Sequence, residues 1–199
     1  MRNTEKAFKL PIPKDPANSP VTSIAIFADV QNIYYTTRQT FGRQFNYQRL
    51  WQRVSATGEI VAATAYAIDR GDNKQRKFQD ALRNIGFNVK LKPYIQRRDG
   101  SAKGDWDVGI AIDMLEVAQY VDTVVLLSGD GDFDLLLSKV RKDYGVTTEV
   151  YGVHALTAIS LIEAASTWHA IDTTLLLYRL QVSPKASFWS FRFSDALRF

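Results

Sequence analysis

Apolar residues along this chain gather in short uninterrupted runs, separated by mixed stretches of helical length. Ile24 to Ala28 is the first run, and it stops at Asp29. An apolar block of that length without alternation predicts a parallel strand buried on both faces. Ile60 to Ile68, Phe87 to Leu91, Thr123 to Leu127 and Val146 to Tyr151 predict four more strands. Between them the spacing predicts helical segments. One covers Asn32 to about Arg53 with an interruption near Gly42, and one runs from Asp72 to Ile85 and is stopped by Gly86. Asp105 to Ala118 is strongly apolar, with Asp105 as its expected N-cap; Asp132 to Tyr144 ends at Gly145; Leu156 to Ala165 closes the series. Lys92 to Lys103 is polar and basic, contains Pro93, Gly100 and Ser101, and reads as a loop.

Strands that alternate with helices, joined by connections long enough for crossovers, define an α/β fold. Its expected core is a central, mostly parallel sheet of about five strands with helices on both faces. The flanks read differently. Pro11, Pro13, Pro16 and Pro20 interrupt the first 22 residues, which predicts an extended arm. Residues 23–172 form the expected domain, and 173–199 an extension that packs on the domain or on a partner. In that extension Leu175 to Tyr178 is apolar and Trp189, Phe191 and Phe193 stand at strand spacing. Such aromatic density predicts burial, and a homodimer contact is one way to achieve it.

Composition narrows the chemistry. The 199 residues suffice for one buried core, and 46% apolar with 23% charged residues is ordinary globular content. No run is long enough to span a bilayer, and the first 20 residues lack the apolar stretch of a secretory signal, so a cytoplasmic location is expected. The absence of cysteine removes thiolate metal sites and cysteine nucleophiles, and there are only two histidines, His154 and His169. A metal would therefore sit among carboxylate oxygens, which favours Mg²⁺ or Mn²⁺. The net charge of +4 suits a polyanionic partner.

Carboxylates stand where the predicted strands end. Asp29 follows the first strand; Asp130 and Asp132 follow the fourth; Asp107 lies in the first turn of the helix that leads into it. In parallel sheets the ligand crevice lies beyond the carboxyl ends of the strands. If strands one and four are neighbours, the four acids converge, and their mutual repulsion calls for a divalent cation. The ordinary alternatives are N-caps for Asp105 and Asp132 and turn residues around Asp130.

Phe27-Ala28-Asp29-Val30-Gln31-Asn32, Lys103-Gly104-Asp105-Trp106-Asp107-Val108 through Asp113, and Ser128-Gly129-Asp130-Gly131-Asp132-Phe133 resemble the three signatures of the NYN domain. More narrowly they resemble its LabA-like branch within the PIN-like nuclease superfamily. The resemblance implies a three-layer PIN-like sandwich with sheet order 3-2-1-4-5 and metal-dependent RNA hydrolysis. It places Asp29, Asp107, Asp130 and Asp132 at the metal, with Asn32 orienting a ligand or water. Asp113 matches a further acid of the family. Six positions past Asp107 is about 240° around a helix, so Asp113 is expected to support the site or to be a satisfied buried carboxylate. Asp105 and Ser128 are likewise expected in supporting roles. Many PIN nucleases carry one more acid after strand one; Asn32 to Arg53 contains none. The turn at Asp130 also resembles the acidic motif of haloacid-dehalogenase phosphatases, but Asp29-Val30-Gln31 lacks their second aspartate.

The basic stretch leading to Asp107 supplies Lys92, Arg97, Arg98 and Lys103, with Tyr94 among them for base stacking. It reads as a rim that guides single-stranded RNA or, in the plainer view, as a solvated loop. The expected function is a metal-dependent ribonuclease. A catalytically silent RNA-binding or regulatory relative is the alternative, and another phosphoryl hydrolase a minor one.

Overall fold

The structure, a computed structural model, describes residues 21–69, 71–93, 95–96, 102–103 and 105–178. The proline-rich arm, Tyr94, Arg97, Arg98 and the aromatic segment beyond Tyr178 lie outside the described residues; of Lys103 only the backbone is described. The chain runs β1 (Ser23–Asp29), α1 (Val30–Phe41), α2 (Tyr47–Ser55), β2 (Glu59–Asp69), α3 (Asn73–Ile85), β3 (Asn88–Pro93), β4 (Ile95–Gln96), β5 (Ala102–Lys103), α4 (Asp107–Ala118), β6 (Thr123–Leu127), α5 (Asp134–Tyr144), β7 (Thr147–Gly152), α6 (Ile159–Ala164) and β8 (Thr167–Ala170).

Six of these strands form one parallel sheet in the order β3-β2-β1-β6-β7-β8. Side chains of a strand alternate between its two faces, and β1 feeds both layers in this way. Ile24, Ile26 and Ala28 join Ile33 of α1, Leu50 and Val54 of α2 and Leu82 of α3. Ala25 and Phe27 join Ile110 and Met114 of α4 and Leu137 and Val140 of α5. An apolar run without alternation is what a strand covered on both faces requires.

Three differences separate the observed elements from the expected ones. The sheet has a sixth strand, β8, at its edge. Thr167–Ala170 is only partly buried and mixed in polarity, so it carries no apolar run. The interruption expected near Gly42 is there and separates α1 from α2: Gly42 adopts φ 61° at the end of α1, and Asn46 caps α2 by accepting from Arg49 N–H. The basic loop contains a two-strand hairpin, β4 with β5. The helix after β6 begins with a short 3₁₀ turn, Gly131–Phe133, before α5.

Beyond β8 the chain returns to the domain. Leu175 and Leu176 are buried, and Leu176 bridges Phe45 in antiparallel fashion. Asn46 N–H donates to Leu175 O at 2.8 Å and Leu177 N–H to Gln44 O at 2.8 Å. Among the described residues no helix is long and apolar enough to cross a membrane.

Candidate metal centre

β1 and β6 are the central pair, with Ala28 opposite Leu127. From β1 the sheet continues outward to β2 and β3, and from β6 the other way to β7 and β8. The order reverses between these two strands, and at such a point the outgoing loops splay and leave a crevice. Asp29 and the segment Ser128–Asp132 leave the sheet there side by side.

Each acid is fixed by its own backbone. Asp29 caps α1, its Oδ1 accepting from Asn32 N–H at 3.1 Å. Asp130 caps the 3₁₀ turn, its Oδ1 accepting from Asp132 N–H at 3.1 Å, while its own N–H donates to the buried Ser128 Oγ at 3.2 Å. A cap engages one carboxylate oxygen and leaves the other for a ligand. Asp107 opens α4 directly after Trp106, whose Nε1–H donates to Ala67 O at 2.9 Å. The indole lies against Tyr66 and over Gly109, where a Cβ would come within 2.6 Å of the ring. Trp106 thus sets where α4 starts and where Asp107 points.

One oxygen each from Asp107, Asp130 and Asp132 lies within 4.8 Å of the others. Oxygens bound to one Mg²⁺ or Mn²⁺ at about 2.1 Å stand about 3 to 4 Å apart, so this trio needs only a small contraction around a cation. An all-oxygen donor set of this kind fits those metals. Neither histidine takes part: His154 is exposed, and His169 stacks on Tyr151 with its Nε2 3.0 Å from Glu149. Asp29 stands at the adjacent strand end, outside the converging trio.

The electrostatics agree with a crowded acidic crevice. Burial pushes the Asp29 carboxyl up to about 6; the charges of Asp107 and Asp130 add to the rise, and the N–H groups of Asn32 and Gln31 oppose it. Burial also raises Asp107 to about 6, followed by repulsion from Asp105, Asp130 and Asp132, with Lys92 opposing. Both acids hold their protons too tightly for carboxylates in water, which a divalent cation would reverse.

The remaining candidate residues fall into place around this centre. Asp105 is not the cap of α4: the helix begins at Asp107 after Trp106 and has no side-chain cap. Asp105 is exposed and acts on Asp107 through charge alone. Asn32 turns its Oδ1 to Gly129 N–H at 2.9 Å, so it holds the β6 exit turn. Asp113 lies away from the trio, its Oδ2 accepting from Tyr66 OH at 2.5 Å and from Lys90 Nζ at 2.6 Å. Lys92 Nζ donates to Asp105 O at 2.7 Å and sits 4.8 Å from the Trp106 ring centroid, a fixed cation beside Asp107. Trp106 and Tyr66 belong to the site as well, although no site role follows for them from the sequence. A tryptophan between two aspartates in a polar stretch was the available signal for the first, and a tyrosine inside an otherwise apolar strand for the second.

A parallel sheet with this reversal, carboxylates at the ends of its central strands and helices on both faces defines a PIN-like α/β protein. The chain belongs to the NYN domain family, whose model matches residues 23–173. It is 32% identical over 126 residues to the low amplitude and bright protein LabA of Synechococcus elongatus, covering 59% of this chain and 67% of LabA. A crystal structure of a protein of unknown function from Vibrio parahaemolyticus is 51% identical, with a TM-score of 0.76 over 80% of this chain and 99% of that one.

Proposed function

We propose that this protein is a metal-dependent ribonuclease that hydrolyses phosphodiester bonds of single-stranded RNA. The observation that carries the reading is the convergence of Asp107, Asp130 and Asp132 within 4.8 Å, at the reversal point of a PIN-like sheet. These three would hold Mg²⁺ or Mn²⁺, with Asp29 completing the acidic wall. Such a cation, when bound, activates water and offsets charge on the phosphate.

The chain's own groups do the rest. The caps on Asp29 and Asp130 hold their carboxylates in place before any ligand arrives, so little reorganisation is needed on binding. Asp29, with Oδ1 held by Asn32 N–H, keeps Oδ2 for a proton or a ligand, and its raised affinity for protons suits it to accept one near neutral pH. Lys92, pinned over Trp106, meets an RNA phosphate that approaches the acids. Lys103, Arg97, Arg98 and Tyr94 extend this rim in sequence.

A catalytically silent RNA-binding protein is the second reading. It is favoured by Asn32, which replaces the extra acid of other PIN nucleases and spends its carbonyl oxygen on Gly129 N–H rather than on a ligand. Asp130→Asn separates the two. For a nuclease, Mn²⁺-dependent cleavage falls by orders of magnitude while metal-free RNA binding holds or tightens, because one repulsive charge is gone. Wild-type protein without metal-dependent cleavage on several RNAs would establish the silent reading.

A further inference from the structure

Between α4 and the β3 edge of the sheet lies a cavity of about 150 Å³, separate from the acidic trio. Phe27, Ala62 and Val117 give it apolar walls, and Thr64, Asn88, Lys90, Asp113 and Glu116 surround them with polar groups. Glu116 lies nine positions beyond Asp107 on α4, about 13 Å along the helix, a distance that a short stretch of RNA spans.

The polar groups define a specific pattern. Asp113 is already engaged by Tyr66 OH and by Lys90 Nζ, so the ammonium takes the place a cation would otherwise occupy. An ammonium has three donors, and Lys90 spends one on Asp113. Its side chain remains 40% exposed, so an arriving ligand can reach the ammonium. Glu116 brings a second carboxylate to the same opening from the exposed side of α4. A flat ligand that enters here has a Glu116 carboxylate for its donors and the Lys90 ammonium for its acceptors, over an apolar wall.

We propose that this cavity binds a guanine base. Guanine is the nucleobase that presents two adjacent donors, N1–H and N2–H₂, to a carboxylate, and carries acceptors O6 and N7 for an ammonium. Adenine and cytosine each set a single amino donor beside a ring-nitrogen acceptor on that edge, and uracil places its single N–H between two oxygens that a carboxylate repels. Single-stranded RNA is read on these edges once its bases are splayed. For an RNA-borne guanine the inference rests on the ribonuclease reading and names a base preferred a short stretch away from the cleaved bond. A free guanine nucleotide offers the same edge without that reading.

The test is calorimetric titration of the full chain, with EDTA present, by guanosine, inosine, adenosine and cytidine 5′-monophosphates. Guanosine monophosphate should bind at least about fivefold more tightly than the adenosine and cytidine forms, the lower range for a bidentate pair. It should also exceed inosine monophosphate, which lacks N2. Glu116→Gln, an exposed change that the fold tolerates, should erase the gap between guanosine and inosine, whereas Asp130→Asn should leave it intact. A parallel titration with an adenosine oligomer bearing one guanosine tells the sources apart: a matching preference assigns the cavity to RNA, and its absence assigns it to the free nucleotide. Equal binding of all four monophosphates, or a preference that survives Glu116→Gln, overturns the proposal. Failure to cleave RNA leaves the monophosphate result standing.

Discussion

Asn32 Oδ1 accepts the N–H of Gly129 at 2.9 Å, and this single bond ties the start of α1 to the exit turn of β6. Asn32 N–H meanwhile holds Asp29 Oδ1. One residue therefore sets the relative position of both acidic strand ends. Asn32→Ala should weaken Mn²⁺ binding by about 10- to 100-fold, the usual range for a group that orients ligands without touching metal. Calorimetric Mn²⁺ titration checks this, and an unchanged affinity would remove Asn32 from any positioning role.

Gly129 leaves no room on its other side. A Cβ there would come 2.6 Å from Leu156 O and 3.0 Å from Thr157 Oγ1, and the nearest atom is backbone, while Gly129 O accepts from Ala158 N–H. Gly129→Ala should cost about 1–3 kcal/mol through overpacking, read as a lowered midpoint in urea. Metal affinity should drop with it, because the turn carries Asp130.

The raised carboxyls give the metal-free protein an inverted response to acid. Asp29 and Asp107 titrate near 6 when folded and near 4 when unfolded. Between those values the folded state binds more protons, so these two groups add stability as pH falls from 7 to about 5. Melting in EDTA should shift upward over that interval. Saturating Mn²⁺ should abolish the shift, since the cation competes with the protons. A metal-free melting temperature that drops steadily from pH 7 to 5 would contradict the crowded-crevice picture.

Asp105 and Asp107 separate charge from capping. Because Asp105 makes no cap, Asp105→Asn should change stability by less than about 0.5 kcal/mol. It should also lower the Asp107 carboxyl, whose largest charge repulsion comes from Asp105. Carboxyl carbon chemical shifts of Asp107 followed against pH in wild type and variant measure this. No movement of Asp107 would mean that Asp105 lies farther away than the structure places it.

Lys92→Met keeps an apolar stem against Trp106 and removes the cation. If Lys92 meets a phosphate, the slope of log affinity against log salt for single-stranded RNA should flatten by about 0.7. Fluorescence anisotropy at several salt concentrations reads it.

The sheet was legible because β1, β2 and β6 must be apolar on both faces; Thr123–Leu127 matches its predicted bounds. The acids were legible from their place after those runs. β8 was hidden because an edge strand with one wet face needs no apolar run. The start of α4 is not legible locally: Asp105 has the residue type of a cap, whereas the start is set by the indole of Trp106 reaching Ala67, a contact 39 positions away. The grip of Asn32 on Gly129, 97 positions apart, could not be read from local spacing either.

Leu175 and Leu176 also have a practical meaning for where this fold stops. The family match closes at residue 173, yet both leucines lie in the interior beside Phe45. Cutting the chain at the family boundary would expose Phe45 and open a hole beneath α2, comparable to deleting large core side chains. A shortened version for crystallography or domain fusion therefore has to run at least to Leu177, whose N–H fastens the tail to Gln44.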